Sequence, residues 1–387
     1  MIDSKFKKMI SVGLLCLALI LCKVIWVRCA TKKIGSFETE KADILRRRAY
    51  LLEKVITEPQ KLIDMFPPGI GEQFQGEWAL YTCSMLSASL VNIAKLYPET
   101  KEQSITAIDS LILMVMSPEL RRYDLIRWGE DPLTFLESDN SHVSYLSHLA
   151  WMIAGYKKLG GGNKYDELQR SLCGAMNRRL LDSPHLNLET YPDEPIYVPD
   201  VLVAIVALKL YSRQNNGIYD KTVDEWLANM KEKHTSGTSG LIASIIMQDN
   251  EGGLHNFYKG SYSALSCYYL TFIDKEYAKE QYRILKDQFY KKFPLAGFKE
   301  YIRKSPILSF DMDAGPIVFG LSPTGTAFGI GSATYFNDTI VRKKILRTAE
   351  RAGSTVTIKG KSHYLLANIA IVGEAITLAM RTATSWN

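Results

Sequence analysis

The sequence predicts an all-α protein, an (α/α)6 toroid of about six helical hairpins preceded by an N-terminal membrane segment. Three observations carry this. From about residue 40 onward, helical apolar periodicity recurs roughly a dozen times between Pro and Gly breaks. The segments alternate in character: residues 201–208 and 367–378 are apolar nearly all round, whereas residues 165–181 and 277–293 are amphipathic. A helix apolar on every side is buried, and an amphipathic one keeps a wet face, so the alternation implies two concentric layers. Finally, only Thr355-Val356-Thr357-Ile358 reads clearly as a strand. No repeat of fixed period supports an α-solenoid instead.

Taken in order, Lys5, Lys7 and Lys8 precede a run over residues 9–27 that is apolar apart from Ser11 and Lys23. This approaches the ~20 residues that span a bilayer, with Lys23 placed to snorkel at the far end. No small-x-small cleavage site follows, and Cys22 comes after Leu21, which a lipoprotein signal would not have. The expectation is an uncleaved signal anchor, with a cleaved signal peptide as the alternative. Both place the body outside the cytoplasm, although cations flank both ends of the run and give orientation little leverage. The division is therefore residues 1–30 as anchor or signal, 31–75 as juxtamembrane segment and first helix, and 76–387 as the toroid.

Helices are expected over residues 41–56, with Ile44, Leu51, Leu52 and Val55 on one face, and over 77–97, ended by Pro98. The next cover 105–116, stopped at Ser117-Pro118, 142–159, broken at Gly160-Gly161-Gly162, and 165–181, ended at Ser183-Pro184. Residues 201–211, 223–230, 262–273, 277–293, 316–335, 340–352 and 363–383 complete the set, and 241–247 is ambiguous.

Net charge is +6, pI about 8.8, and Arg46-Arg47-Arg48 is the single tight basic run. Without a basic stripe interleaved with aromatics, a nucleic-acid partner is not expected. Of six cysteines, Cys16, Cys22 and Cys29 lie in or beside the apolar run, and Cys83, Cys173 and Cys267 are widely separated. With no Cys-x-x-Cys spacing, neither a disulfide framework nor a zinc site is expected, and the body cysteines read as small buried hydrophobes. There is no phosphate loop, nucleophile elbow or His-Glu-x-x-His, so no cofactor or metal is expected.

In a toroid the inner helices aim their ends at one central cavity, so the loops that enter them should carry the chemistry. Four polar loops precede apolar helices. Asp139-Asn140-Ser141-His142 leads to a helix bearing His148, and Tyr191-Pro192-Asp193-Glu194 leads to Asp200. Residues 255–261 lead to Tyr262, and Asp311-Met312-Asp313-Ala314-Gly315-Pro316 leads to a Gly- and Ser-rich segment. Charge near a core must be paired or lose its proton, which points to a pocket.

The catalytic candidates are His148, Asp311, Asp313 and Tyr262. A histidine titrates near neutrality and suits acid–base work, although one on an apolar face beside Tyr145, Leu149 and Met152 is often plain core. Asp311 and Asp313 alternate and would share a face of an extended loop, where two close carboxylates push one pKa up. The pair lacks the further ligands a metal would need. Tyr262 would bond a substrate oxygen. Asp139, Asp193, Asp200 and Glu300 are substrate-binding candidates. Helix capping also accounts for Asp139 and Asp200, and a turn accounts for Asp193. Asp200 would alternatively orient His148. Trp78, Trp128 and Trp151 are either a sugar-binding wall or core.

Ser141-His142-Val143-Ser144-Tyr145-Leu146-Ser147-His148-Leu149 with Gly155-Tyr156, the Tyr191 to Glu194 motif with Asp200, Gly260-Ser261-Tyr262-Ser263-Ala264-Leu265-Ser266 with Glu280-Gln281-Tyr282, and the Asp311 to Pro316 motif follow one another in order, within a resemblance that covers roughly residues 75–382. Together they resemble the linalool dehydratase/isomerase family. The resemblance implies an (α/α)6 toroid with its site in the central cavity, His148 at the place of a site histidine and Tyr262 at that of a site tyrosine. The family's two site cysteines have no counterpart here, where Thr190, Tyr191 and Pro199 stand. What the resemblance implies is thus the scaffold and the cavity, not the terpene alcohol reaction.

The function expected is an envelope-anchored enzyme using carboxylate and histidine acid–base chemistry on a hydroxylated small molecule or glycan, as a hydro-lyase, isomerase or glycan-cleaving enzyme. A glycosidase would present two carboxyls about 5 or 6.5–9.5 Å apart in an open groove, and a lyase would have a closed, more apolar pocket. The alternative is a non-catalytic binding or scaffolding toroid tethered at the membrane, its polar loops bonded to one another with no open cavity.

Overall fold

A computed structural model describes residues 4–32, 34–249, 251–303, 307–368 and 371–386, with backbone alone for 4–11 and 368. The side chains of Lys5, Lys7 and Lys8 lie outside the described residues, as do Asn387 and the part of the expected helix 363–383 at positions 369 and 370. The helices are α1 (Ser4–Ala30), α2 (Phe37–Val55), α3 (Pro59–Ile63), α4 (Glu72–Leu96), α5 (Lys101–Val115), α6 (Pro118–Trp128), α7 (Val143–Lys158), α8 (Asp166–Asp182), α9 (Val198–Gln214), α10 (Asp220–Lys233), α11 (Gly260–Leu270), α12 (Lys275–Phe289), α13 (Pro323–Tyr335), α14 (Thr339–Gly353) and α15 (Ile371–Arg381).

Six of them close a ring in which α4 packs on α7, α7 on α9, α9 on α11, α11 on α13, α13 on α15, and α15 on α4. Each ring helix has an outer partner: α5, α8, α10, α12 and α14 follow α4, α7, α9, α11 and α13, and α2 packs on α15. The two layers match the alternation in the sequence. Every residue of α7 from Val143 to Tyr156 is buried, whereas α12 and α14 bury one face only. One contiguous core joins both layers.

Residues 37–55 supply the twelfth position of this double ring. Ser36 starts α2 with a reciprocal capping box to Thr39, and Ile44, Tyr50, Leu51 and Val55 enter the common core. Buried ion pairs fasten α2 to the C-terminal end of the chain. Glu40 bridges Arg342 and Arg381, Asp43 bridges Arg381 and Arg47, and Arg47 reaches Glu374 at 2.5 Å.

The elements depart from expectation where short strands intervene. The helix expected over 316–335 starts only at Pro323, because β7 (Gly315–Val318) pairs antiparallel with β6 (Leu308–Asp311) as a hairpin. The ambiguous 241–247 stretch resolves partly as β2 (Ile245–Gln248), between β1 (Ile196–Tyr197) and β3 (Leu254–Phe257). The 363–383 segment opens in β9 (Lys361–Tyr364), paired with the expected strand β8 (Thr355–Ile358). A further pair joins β4 (Tyr290–Lys291) to β5 (Gly297–Phe298). Ser117-Pro118, read as a helix stop, is also a start. The Ser117 hydroxyl accepts the Leu120 amide at 3.3 Å and Pro118 takes the first helical position, giving α6.

At Gly260, the first residue of α11, a β-carbon would lie 1.8 Å from the Lys299 carbonyl oxygen, so only glycine lets the residue 297–300 segment lie against the helix start. Gly260→Ala is expected to lower stability by about 1–3 kcal/mol, as overpacking does; an unchanged thermal midpoint would show that the segment yields freely.

α1 stands apart in character. Its Val12–Ala30 stretch has mean hydropathy 2.2 and is almost wholly exposed, with Leu14, Leu15 and Ile20 each more than half exposed. α4 is also long and apolar enough to span a bilayer, but it is a buried ring helix.

Candidate active site

The ring encloses a cavity of about 970 Å³ whose polar groups gather where several inner helices begin. α4 contributes Glu77 and Tyr81, one turn apart on the same face. The loop before α9 brings Thr190, Tyr191 and Glu194, and the first turn of α9 brings Asp200. Tyr262 comes from the first turn of α11, Asp313 from the β6–β7 turn, and Arg127 from the end of α6. Trp78, Tyr197, Phe310 and Leu265 are among the apolar and aromatic walls.

Asp200 accepts hydrogen bonds from the Tyr81 hydroxyl at 2.7 Å and the Thr190 hydroxyl at 2.9 Å. Burial pushes its pKa up to about 6, against the lowering effect of those two donors, and the charges of Asp313 and Glu194 add to the rise. Glu77 touches the cavity but is otherwise enclosed by protein. Burial, then the negative charges of Asp200 and Asp313, push it up to about 8, although Tyr191 donates a hydrogen bond to it and Arg127 is near. Glu77 is thus an acid at neutral pH while Asp200 is mostly ionised.

Asp313 receives the Tyr262 hydroxyl and the Lys259 ammonium, the latter at 3.3 Å. Lys259 also lies 4.8 Å from the Tyr262 ring centroid and bonds both Asp311 oxygens at 3.0–3.1 Å. Arg127 pairs with Glu194 at 2.7 Å and lies over the Tyr191 ring. Both cations near the site are therefore engaged by acids.

Of the residues picked out in the sequence, Asp200, Asp313 and Tyr262 meet in the cavity. Asp311 does not line it. Instead of sharing an extended face with Asp313, its Oδ1 accepts the Asp313 and Ala314 amides, closing the hairpin turn. Glu300 is fully buried beneath α11, accepting the Ser261 amide at 3.1 Å and hydroxyl at 2.8 Å; burial pushes it up to about 6. His148 lies one layer back, its ring 4.3 Å from that of Tyr81. Its Nδ1 pairs with the Ser84 hydroxyl at 2.6 Å, and burial pushes its pKa down to about 3, so it is neutral at physiological pH. Asp200 therefore bonds Tyr81 and Thr190 rather than His148. Asp139 is fully exposed beside Arg178, and Asp193 is exposed on a left-handed turn with φ 61°. Neither lines the cavity. Neither Asp139 nor Asp200 is a helix cap, since His142 precedes α7 and Asp200 lies inside α9, whereas Asp193 does sit in a turn as expected.

Sequence reasoning passed over Glu77, Tyr81, Thr190, Arg127 and Lys259 as site groups. A carboxylate followed by Trp78-Ala79-Leu80-Tyr81 on an inner helix was the available signal, since such a helix has no wet face on which to solvate it. Trp151 packs against Tyr269, Phe272 and Trp386 in the core, whereas Trp78 lines the cavity. Among the described residues no three His, Cys, Asp or Glu side chains converge as a metal site would need.

No family model and no curated protein matches the chain. Several solved structures do, two of them carbohydrate hydrolases by name. One is an unsaturated glucuronyl hydrolase specific for heparin, 10% identical, with a TM-score of 0.53 over 87% of this chain and 96% of that one. The other is a glycoside hydrolase from family 105 of C. acetobutylicum ATCC 824, 12% identical, with a TM-score of 0.54 over 77% of this chain and 92% of that one. The fold is an (α/α)6 toroid. At these identities the likeness concerns the fold alone, and it agrees with the closed double ring.

Proposed function

We propose that this protein is an acid–base enzyme that moves water onto or off a hydroxylated, carbohydrate-sized substrate, with Glu77 as proton donor and Asp200 as base. The observation that carries this reading is one large cavity holding two unlike carboxyls, one protonated and one mostly ionised at neutral pH. In a hydrolytic cycle Glu77 gives its proton to the departing or bridging oxygen. Asp200 takes a proton from water as that water's oxygen bonds to carbon. Tyr262 and Asp313 position a substrate hydroxyl. These assignments move the acid–base roles from His148 and Asp311, which the cavity does not reach, to Glu77 and Asp200. The open cavity weighs against a purely scaffolding toroid.

The names of both structural neighbours describe carbohydrate-cleaving hydrolases, which supports a glycan substrate. The charge of this cavity favours a neutral or basic sugar. With Glu77 neutral, the acids Glu194, Asp200 and Asp313 line it, and the two cations nearby are already taken, Arg127 by Glu194 and Lys259 by Asp311 and Asp313. A second reading, a hydro-lyase on an apolar alcohol, draws support from the aromatic and aliphatic walls. We further propose that α1 anchors the toroid to a membrane with the body outside the cytoplasm, supported by its length and exposed apolar surface.

The test is turnover by the full chain of matched neutral and uronate-bearing oligosaccharides and isoprenoid alcohols across pH. Activity is expected on the neutral glycans, with kcat/KM falling below about 6 as Asp200 gains its proton and above about 8 as Glu77 loses its own. Preferential turnover of uronates would contradict the charge argument, and turnover confined to isoprenoid alcohols would establish the second reading. No turnover of any class would favour the binding toroid.

A further inference from the structure

A second cavity, also about 970 Å³, lies between α1 and α14, and it is basic where the first is acidic. Lys23, Arg28 and Lys32 line it from the N-terminal side, and Lys343, Arg347 and Arg351 from α14. The three α14 cations are spaced four residues apart, so they form one stripe on one face, and all three are exposed. The sole acid of α14, Glu350, is turned inward to Arg47 and Thr355. Among the described residues no carboxylate lies within 4 Å of any of the six cations. Lys23 donates to the Ser354 hydroxyl, which fastens α1 beside the end of α14. The rest of the wall is the apolar side of α1, Leu19, Ile20 and Val24 among it.

Six like charges converging on one cleft repel one another unless an anion sits among them. The cleft is basic where the exposed apolar helix ends and apolar along that helix, so the complementary molecule has an anionic head and a hydrocarbon tail. Basic pockets beside membrane helices recognise lipid head groups in this way.

We infer that the α1–α14 cleft binds an anionic phospholipid, its phosphate among Lys23, Arg28, Lys32, Lys343, Arg347 and Arg351 and its acyl chain along α1. The inference rests on the reading of α1 as a membrane anchor. The bound lipid seats α14, an outer helix of the ring, against the membrane surface and so fixes the orientation of the toroid.

The test uses the full chain in detergent micelles, with native mass spectrometry reading the retention of phosphatidylglycerol, phosphatidylcholine or inorganic phosphate. Wild type is expected to retain one phosphatidylglycerol about tenfold better than phosphatidylcholine, and Arg347→Glu/Arg351→Glu to lose that preference. Both positions are exposed, and an unchanged thermal midpoint checks that the variant is folded. Lys275→Glu/Lys292→Glu, the same charge change elsewhere on the surface, should keep the preference. Equal retention of the two lipids, loss in the control pair as well, or displacement of the lipid by equimolar inorganic phosphate would overturn the inference. An alkaline wash of membranes tests the anchor separately. Release of the protein with lipid preference intact would reject the anchor and leave the lipid site standing.

Discussion

Glu77→Gln is expected to cut turnover by about 10²- to 10⁴-fold while leaving the protein folded. The substitution is unusually clean, because Glu77 is already neutral near pH 7 and glutamine copies that neutral shape. What is lost is the transferable proton. Stability should move the other way. A carboxyl whose folded pKa is raised from about 4.5 to about 8 favours the native state fully below its unfolded pKa, and this contribution is lost as pH rises through the folded value. Wild type should therefore lose stability relative to Glu77→Gln between about pH 4.5 and 8. Equal activity of the two proteins would remove Glu77 from the mechanism. Equal activity together with parallel stability curves would remove the raised pKa as well.

Arg47→Met is expected to destabilise the protein by about 3–5 kcal/mol, the cost of breaking a buried ion-pair network. Arg47 is 1% exposed and holds Asp43, Glu350 and Glu374 together, with its guanidinium 4.3 Å from the Tyr364 ring centroid. Methionine fills much of the volume but leaves Glu374 and Glu350 buried without this cation. Double substitution Arg47→Met/Glu374→Gln should recover part of the loss, since it removes one stranded charge along with the cation. Chemical denaturation of the four proteins in the cycle measures the coupling. Additive losses would show that the network contributes little beyond its separate members. The same network explains why residues 37–55 cannot be treated as a loose tether, for the buried Glu40 and Arg47 are paired with Arg342 and Glu350 of α14 and with Arg381 and Glu374 of α15.

The ring was legible because burial on all sides demands apolar residues all round, and the 201–208 stretch displays that directly. The hairpins were not. Two- and four-residue strands such as Gly315–Val318 are too short for alternation to separate them from a helix start, and their pairing with Leu308–Asp311 is a tertiary fact. Looking for polar loops ahead of buried helices found Asp200, Tyr262 and Asp313. It failed for His148, because periodicity places a residue on a helix but does not say whether that face meets the cavity or a neighbouring helix; here Tyr81 stands between. It failed for Asp311 because an aspartate in a tight turn can bond its own backbone instead of reaching outward. Glu77 was hidden for the opposite reason. It sits inside an apolar helix, and its purpose emerges only when α9 and the β6–β7 turn bring Asp200 and Asp313 to face it.

The chemistry depends on Glu77 holding its proton at neutral pH while Asp200 is mostly ionised. Difference infrared spectroscopy of the full chain against Glu77→Gln, titrated from pH 4 to 10, reads this without any substrate. A carbonyl band of a protonated carboxyl is expected at pH 7, disappearing with a midpoint near 8 and missing from Glu77→Gln. If the band specific to Glu77 has vanished by pH 5, Glu77 is an ordinary carboxylate and the proposed acid–base pair is wrong.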